Sequence, residues 1–271
     1  MVIGTQRSGT NILREILNTN EHIAMLGEVF TPSTAPAHWD NFCRTLSIES
    51  IHPTTFSKAE SLLDQYFEFV EYRIRNHWEG NRKNHSHAIG VDIKYNQLSR
   101  TAPSKWSATH PFILSYLRSR GAILIHTTRN IIHCAISTLI ASQRKFWHNY
   151  DGVLIDRAYE IDVGECLAHA RSIVRDHDSF LRSAYGCRTV HCRYENLCDD
   201  LQRTDSANDI LDGPGPLREI ATAFNIPFSF RNDKRLRKAI DVPYSKLLSN
   251  YNALVRRLEN SEFSALVPTL E

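Results

Sequence analysis

Short apolar runs bounded by turn residues recur along the chain, with the length and composition of buried parallel strands. Between them lie longer stretches in which apolar residues return every three or four positions, as in an amphipathic helix. In one such stretch Leu63, Phe67, Val70 and Ile74 fall on the same helical face. The pattern predicts strands over residues 1–4, 88–95, 122–128 and 188–194. It predicts helices over residues 11–18, 57–78, 130–147 and 163–184.

The alternation of strands and helices predicts an α/β fold, with a central parallel β-sheet flanked by helices on both faces. At 271 residues the chain fits a single α/β unit, so one domain over residues 1–271 is expected. The stretch DSANDILDGPGP, residues 205–216, is rich in turn-forming residues and is predicted to be a surface loop.

Charge changes this picture little, because 32 basic residues nearly balance 30 acidic ones. The balance gives no argument for a nucleic-acid partner, and no apolar run approaches the ~18 residues of a transmembrane segment. The chain begins on a strand-like run rather than on a basic-then-apolar signal segment, so a cytoplasmic location is expected. An upstream segment outside this sequence, association with a membrane surface and a homodimer all stay open. No metal site is expected, because the histidines and cysteines lack the usual ligand spacings.

The first predicted strand runs into GTQRSGTN, residues 4–11, which resembles half of a phosphate-binding loop. Gly4 and Gly9 have the G-x-x-x-x-G spacing, but Thr10 and Asn11 stand where a nucleoside-triphosphate loop has Lys and a metal-binding hydroxyl. Strand, turn and helix in this order favour a P-loop-containing nucleotide-hydrolase-like fold. Backbone N–H groups and the start of the helix would attract an anion, and Arg7 adds a permanent charge. The predicted anion-binding residues are Gln6, Arg7, Ser8, Gly9, Thr10 and Asn11.

A second anion site is predicted at the end of the strand AILIHTTR. It ends in Arg129, where a nucleoside triphosphatase carries an Asp that holds magnesium. Ser137 follows eight residues later and shares the polar stripe of the next predicted helix with Asn130 and His133. Two basic sites at the ends of parallel strands indicate a ligand with two separate phosphate groups.

These motifs resemble those of sulfotransferases that use 3′-phosphoadenosine-5′-phosphosulfate (PAPS). GTQRSGTNIL resembles their 5′-phosphosulfate loop, and RNIIHCAIS, with Arg129 and Ser137, resembles their 3′-phosphate motif. The resemblance implies a PAPS-dependent sulfotransferase that releases 3′-phosphoadenosine 5′-phosphate (PAP) and uses no metal. RYENL resembles the family's late strand, which implies that Tyr194 lies beside the adenine; a core tyrosine stays the alternative.

The resemblance also implies the catalytic residues. LGEVF resembles the segment in which bacterial and Golgi-type carbohydrate sulfotransferases place a catalytic Glu, here Glu28, and the alternative is a surface Glu at a strand edge. In VDIKYNQL, Lys94 matches the Lys of cytosolic members, but Asn96 stands where they have a His base. Lys94 is therefore either catalytic or part of a structural ion pair. Arg7 resembles the basic residue that contacts the 5′-phosphate and the transferred sulfonate.

The acceptor implied by these segments is a hydroxyl on a carbohydrate or glycolipid. Two other functions stay open at this stage: a P-loop small-molecule kinase, and a non-catalytic protein that binds 3′-phosphoadenosine nucleotides. The missing loop Lys, metal-binding hydroxyl and strand-end Asp argue against the kinase. If Glu28 is not the base, His110 and His133 are the next candidates.

Overall fold

The computed structural model describes residues 1–46, 55–77, 87–100, 111–145, 158–232 and 242–270. Five strands form one sheet in which every neighbouring pair is parallel, in the order β2-β3-β1-β4-β5. The predicted α/β fold with a central parallel sheet is thereby confirmed. The strands are β1 (Val2–Gly4), β2 (Ile23–Glu28), β3 (Ala88–Lys94), β4 (Ile123–Thr128) and β5 (Arg188–Arg193).

Four of these strands lie where the apolar runs predicted them, and each is one residue shorter than predicted at one of its ends. The exception is β2, which the sequence analysis did not predict because its run IAMLGE is short and ends in Gly-Glu. β2 lies at one edge of the described sheet, beside β3. Its backbone contains a β-bulge, since Leu26 pairs with Val91 and Glu28 pairs with the very next residue, Asp92. Gly27 is thus the extra residue of the bulge.

Ten α-helices connect and cover the strands in the described residues. The predicted helices are present, but each begins or ends a residue or more away from its predicted limits; the other described helices, of four to nine residues, were not predicted. They are α1 (Thr10–Leu17), α2 (Trp39–Thr45), α3 (Phe56–His77), α4 (Phe112–Ser119), α5 (Ile131–Arg144), α6 (Val163–Ser183), α7 (Tyr194–Gln202), α8 (Pro216–Phe224), α9 (Tyr244–Leu247) and α10 (Tyr251–Glu259). Two 3₁₀ segments, Tyr95–Gln97 and Ser264–Leu270, complete the described structure.

Backbone contacts divide the chain into two compact units. The first consists of Met1–Thr5, Gly9–Thr128 and Asp176–Asn232, and the second of Gln6–Ser8, Arg129–Arg175 and Asp233–Glu271. The first unit contains the sheet, whose two faces pack against separate apolar clusters. The second has its own core, built from α5, the start of α6 and the C-terminal helices. A single domain over residues 1–271 stays a prediction.

The buried face of α3 is the one that its apolar periodicity predicts. In α3, Leu63, Val70 and Ile74 are buried, and Phe67 packs against the same cluster while partly exposed.

In α5 the N-cap is Asn130, whose side-chain oxygen accepts hydrogen bonds from the backbone N–H groups of the first turn. This cap sets the point where the helix begins after the predicted second anion site.

β4 carries a buried histidine in the first unit. His126 is 1% exposed, its Nε2 lies 2.6 Å from the Tyr95 hydroxyl, and its Nδ1 lies 3.3 Å from Nδ1 of His191. The rings of His177 and Phe180 on α6 pack against it. Burial, together with the two neighbouring histidines, lowers the pKa of His126 to about 3. The folded protein therefore holds this imidazole neutral.

The segment between α7 and α8 is largely exposed, with Asp205 accepting backbone hydrogen bonds from Ala207 and Asp209. It is anchored by buried Ile210, and α8 begins at Pro216, the last residue of the predicted loop. Among the described residues, none of the helices is both long enough and apolar enough to cross a bilayer.

Candidate active site

The bulge in β2 determines which way Glu28 points. Paired residues of neighbouring parallel strands point to the same face of a sheet, and a one-residue shift moves a side chain to the opposite face. In a regular ladder without the bulge, Gly27 would pair with Asp92, and Glu28 would pair with Ile93 and share the face of that apolar side chain. With the bulge it pairs with Asp92, and so lies on the face that carries Asp92 and Lys94.

Lys94 is the centre of a buried polar cluster at the end of β3. Its side chain is 3% exposed, and its Nζ lies 2.6 Å from Asp92 Oδ2 and 3.5 Å from Glu28 Oε1. The same ammonium donates a hydrogen bond to the hydroxyl of Thr10, the first residue of α1. Burial raises the pKa of the Asp92 carboxyl, while the charge of Lys94 acts in the opposite direction. Lys94 therefore links the predicted base to a hydroxyl of the predicted phosphate loop.

Glu28 is held on its other side by uncharged donors. Gln97 Nε2 donates to Glu28 Oε2 at 3.0 Å and to Thr31 Oγ1 at 2.8 Å, and the Thr31 hydroxyl lies 3.3 Å from the same carboxylate oxygen. The side chain of Glu28 is 26% exposed, so it is partly accessible to solvent. Glu28 thus lies at the end of an edge strand, as the alternative has it, but its carboxylate is oriented by neighbours and partly accessible; its role as base stays a prediction.

Gly9, which belongs to the first unit, leads directly into α1. Gly9 has a left-handed backbone, with φ of 89°, and its α-carbon faces the ring of Tyr194, so any Cβ there would clash with that ring. The first turn of α1 contains no acidic residue. Its backbone N–H groups and dipole thus favour an anion.

Tyr194 differs from the expectation in its secondary structure. The strand predicted to include it ends at Arg193, and Tyr194 is the first residue of α7. Its ring is nearly buried and packs on Gly9. The burial of Tyr194 agrees with the alternative of a core tyrosine. Its role beside an adenine stays a prediction.

The second unit contains the two predicted arginines and Ser137. Arg7 Nε donates to Ser137 Oγ at 3.0 Å, and Arg129 donates from its guanidinium to the backbone carbonyl of Arg7 at 3.1 Å. Arg7 has φ of 66°, a conformation that a non-glycine residue rarely adopts and that concentrates at functional sites. Ser137 is 3% exposed, so it is not a solvated helix residue. The structure brings together residues that are up to 130 positions apart.

Two residues of this second cluster were missed by the sequence analysis. Tyr244 is the first residue of α9, and its ring packs against that of His133. Burial raises the pKa of Tyr244 to about 12, while the charges of Arg129 and Arg7 act in the opposite direction. Cys134 approaches the carbonyl of Arg7 at 3.7 Å. Nothing in the spacing of Cys134 or Tyr244 pointed to this cluster.

The remaining predicted residues differ in exposure. Gln6 is exposed, Asn11 is half-buried and Ser8 is buried. Among the fallback bases, His133 has its Nε2 2.9 Å from the carbonyl of Thr269, and His110 lies outside the described residues.

The cluster around Glu28 is suited to proton transfer from a hydroxyl. Its carboxylate is accessible, it is oriented by Gln97, and Lys94 offers a positive charge close to the loop. Within the described residues, no group of three or more His, Cys, Asp or Glu side chains is arranged to hold a metal ion. The cation that Asp92 and Glu28 face is the ammonium of Lys94.

Comparison with known proteins identifies the family. A family model described as Sulfotransferase family matches residues 1–212, which include the loop, Glu28, Lys94, Arg129, Ser137 and Tyr194. A search of curated proteins gave no match.

Proposed function

The chain belongs to the sulfotransferase family, which consists of PAPS-dependent transferases, and on that premise we propose that it transfers the sulfonate of PAPS to a hydroxyl of a carbohydrate or glycolipid. Membership of this family favours sulfonate transfer over the kinase that the phosphate loop alone left open. The single observation that supports a hydroxyl acceptor is the accessible carboxylate of Glu28, held between Lys94 and Gln97.

The residues proposed to bind the donor fit an anionic ligand. They include two arginines, a left-handed glycine at the start of α1 and a helix N-terminus without acidic residues. We assign the 5′-phosphosulfate to the loop with Arg7, and the 3′-phosphate to Arg129 and Ser137, because these are the positions that match the family motifs. The full set is Gln6, Arg7, Ser8, Gly9, Thr10, Asn11, Arg129, Ser137 and Tyr194.

Glu28 is proposed to act as the general base. PAPS supplies the sulfonate: the acceptor oxygen forms a bond to sulfur as the bond from sulfur to the 5′-phosphate oxygen breaks. Glu28 takes the proton of the acceptor hydroxyl, which keeps positive charge from building up on that oxygen. The fixed charge of Arg7 and the loop N–H groups would stabilise the negative charge that grows on the departing phosphate. Lys94 holds the Glu28 carboxylate and the Thr10 hydroxyl in place.

The proposed acceptor class rests on two stretches of sequence. LGEVF and SKLLSNYNAL resemble segments of bacterial and Golgi-type carbohydrate sulfotransferases, whereas the His base of cytosolic members is replaced by Asn96. The decisive experiment is a screen of sugars, glycolipids and simple phenols with sulfur-labelled PAPS. Transfer to sugar hydroxyls supports the proposal, and transfer only to phenols contradicts the acceptor class. Tight PAP binding without transfer to any acceptor would support a non-catalytic nucleotide-binding protein instead.

Binding of the product tests the assignment of the 3′-phosphate. PAP should bind at least about tenfold more tightly than AMP, because a charge-assisted bond from Arg129 to a phosphate contributes on the order of 1.5–3 kcal/mol. Arg129→Ala should lower PAP affinity by at least about tenfold and bring it close to that of AMP. Titration calorimetry with both nucleotides measures this.

The AMP affinity of Arg129→Ala is the internal control, because Arg129 also donates to the backbone of Arg7. If AMP affinity falls as much as PAP affinity, the substitution has disturbed the loop rather than a 3′-phosphate contact. Arg171→Ala is the matched control, since Arg171 is exposed and pairs with Glu262 in the same unit. Equal affinity of the unaltered protein for PAP and AMP would contradict the assignment.

Metal removal should leave the transfer rate within about twofold of its starting value. The physical reason is that Asp92 and Glu28, the carboxylates that share Lys94 with Thr10 of the loop, face an ammonium whose charge opposes a divalent cation. Transfer from labelled PAPS is measured before and after dialysis against EDTA. A loss of activity that magnesium restores would contradict this expectation.

A further inference from the structure

We infer that Gln97 is a positioning residue that orients Glu28 for proton transfer, an inference that rests on the proposed function of Glu28 as base. Gln97 is the last residue of the 3₁₀ segment that follows β3, and it is 6% exposed. It acts on the acceptor through Glu28 and has no assigned contact with the donor.

The orientation of the Gln97 amide follows from its partners. Its Oε1 lies 3.0 Å from the backbone nitrogen of Lys94, and a backbone N–H can only donate. The atom facing Lys94 must therefore be the amide oxygen, so the NH₂ group faces the other way. Both of its protons are then used, one on Glu28 Oε2 and the other on Thr31 Oγ1.

These bonds make the two oxygens of Glu28 different. Oε2 receives hydrogen bonds from Gln97 and from the Thr31 hydroxyl. Oε1 faces only Lys94 among these groups, at 3.5 Å, and that ammonium has closer partners in Asp92 and Thr10. Oε1 is thus the oxygen better placed to receive a proton, while Oε2 fixes the rotation of the carboxylate. Such fixed alignment contributes to rate because a misdirected base reacts slowly.

A merely structural role for Gln97 can be tested separately from positioning of Glu28, because the oxygen and the nitrogen of its amide make different hydrogen bonds. The Oε1 end caps the 3₁₀ turn through Lys94, and the Nε2 end holds Glu28. Gln97→Glu keeps an acceptor for the Lys94 N–H and replaces the donor with a second carboxylate oxygen. Gln97→Met keeps the length of the side chain and removes both hydrogen-bonding groups. The pair of variants therefore distinguishes capping from positioning.

Gln97→Glu should lower kcat at pH 7 by about tenfold or more and move the acid limb of the kcat–pH profile upward by about one unit. The loss of rate at pH 7 is expected because the donor to Glu28 Oε2 is lost. The shift of the acid limb is expected because a second carboxylate favours the protonated form of Glu28; the charged groups facing Glu28 otherwise are Lys94 and, beyond it, Asp92. Gln97→Met should lower kcat by about tenfold, because the donor to Oε2 is lost. The KM for PAPS should stay within about twofold in both variants.

Gln65→Glu is the matched control, because Gln65 is exposed on α3 of the same unit, and its kcat–pH profile should equal that of the unaltered protein. PAP binding measures the fraction of folded enzyme in each variant. In a Glu28→Gln background, Gln97→Met should have no further effect on kcat.

Unchanged kcat per PAP site and an unchanged pH profile in both Gln97 variants, with Glu28→Gln inactive, would overturn the inference while the base assignment stands. Full activity of Glu28→Gln would overturn both. If Gln97→Glu does not fold, Gln97→Met and the double variant decide the question.

Discussion

Glu28→Gln is expected to lower acceptor turnover by about 10²–10⁴-fold while PAP affinity stays within about twofold. The substitution keeps the shape of the side chain and removes its basicity. In the proposed mechanism Glu28 acts on the acceptor hydroxyl, so the donor nucleotide should be bound as before. Rates with labelled PAPS and calorimetry with PAP, on the same preparation, check both parts.

Arg7→Ala provides the contrast, because its charge would meet the 5′ group before and during transfer. That variant should lower PAP affinity and rate together. If Glu28→Gln keeps near-normal turnover, Glu28 is structural, and the base must be sought first at His133 and His110. Loss of PAP affinity in Glu28→Gln would show that the carboxylate supports the donor site through Lys94 instead.

The free energy of unfolding should fall by about 2 kcal/mol between pH 7 and pH 5 through His126 alone. The pKa of this group is lowered to about 3 by burial, against about 6.5 in an unfolded chain. Below pH 6.5 the unfolded chain therefore binds a proton that the folded protein does not, and stability is lost as pH falls, at about 1.4 kcal/mol per pH unit. Urea unfolding at several pH values, for the protein and for His126→Gln, measures the difference in slope.

His126→Gln has no imidazole to protonate, so its stability should depend less on pH over this window even if it is lower throughout. His22→Gln is a suitable control, since that ring is partly exposed and stacks on His87. Parallel stability curves for His126→Gln and the unaltered protein would contradict the assignment of acid sensitivity to His126.

Four of the five described strands were predictable, because short apolar stretches bounded by turn residues mark them, β5 at the other edge of the sheet included. β2 was not, because its apolar run is short, ends in Gly-Glu and contains a bulge. Among the short helices, α1 was predicted because it follows the loop motif with apolar residues at helical spacing, whereas α4 and α7 have no such motif before them and were missed. Helix α7 shows the effect on the site: Tyr194 was assigned to a strand because it directly follows one.

The site was predictable wherever its residues belong to a contiguous motif. Glu28, Lys94 and Arg129 were found in this way, although their roles are proposals. The bond between Arg7 and Ser137 joins distant parts of the sequence, so no local pattern contains it. Gln97 was visible in VDIKYNQL, but an isolated glutamine carries no chemical signal until its neighbours in space are known.

The placement of Glu28 on β2 has a consequence for how such an enzyme can diversify. Among the described strands β2 has β3 as its only neighbour, whereas β1, which leads into the phosphate loop, is paired on both sides. A change in β2 disturbs one ladder of hydrogen bonds, but a change in β1 disturbs two. Backbone changes in β2 should therefore cost less stability than backbone changes in β1, while Glu28 itself stays constrained by Lys94 and Gln97. Under the proposed function, selection for a new acceptor could act on the margin of the sheet while the donor-binding loop that follows its central strand is inherited intact.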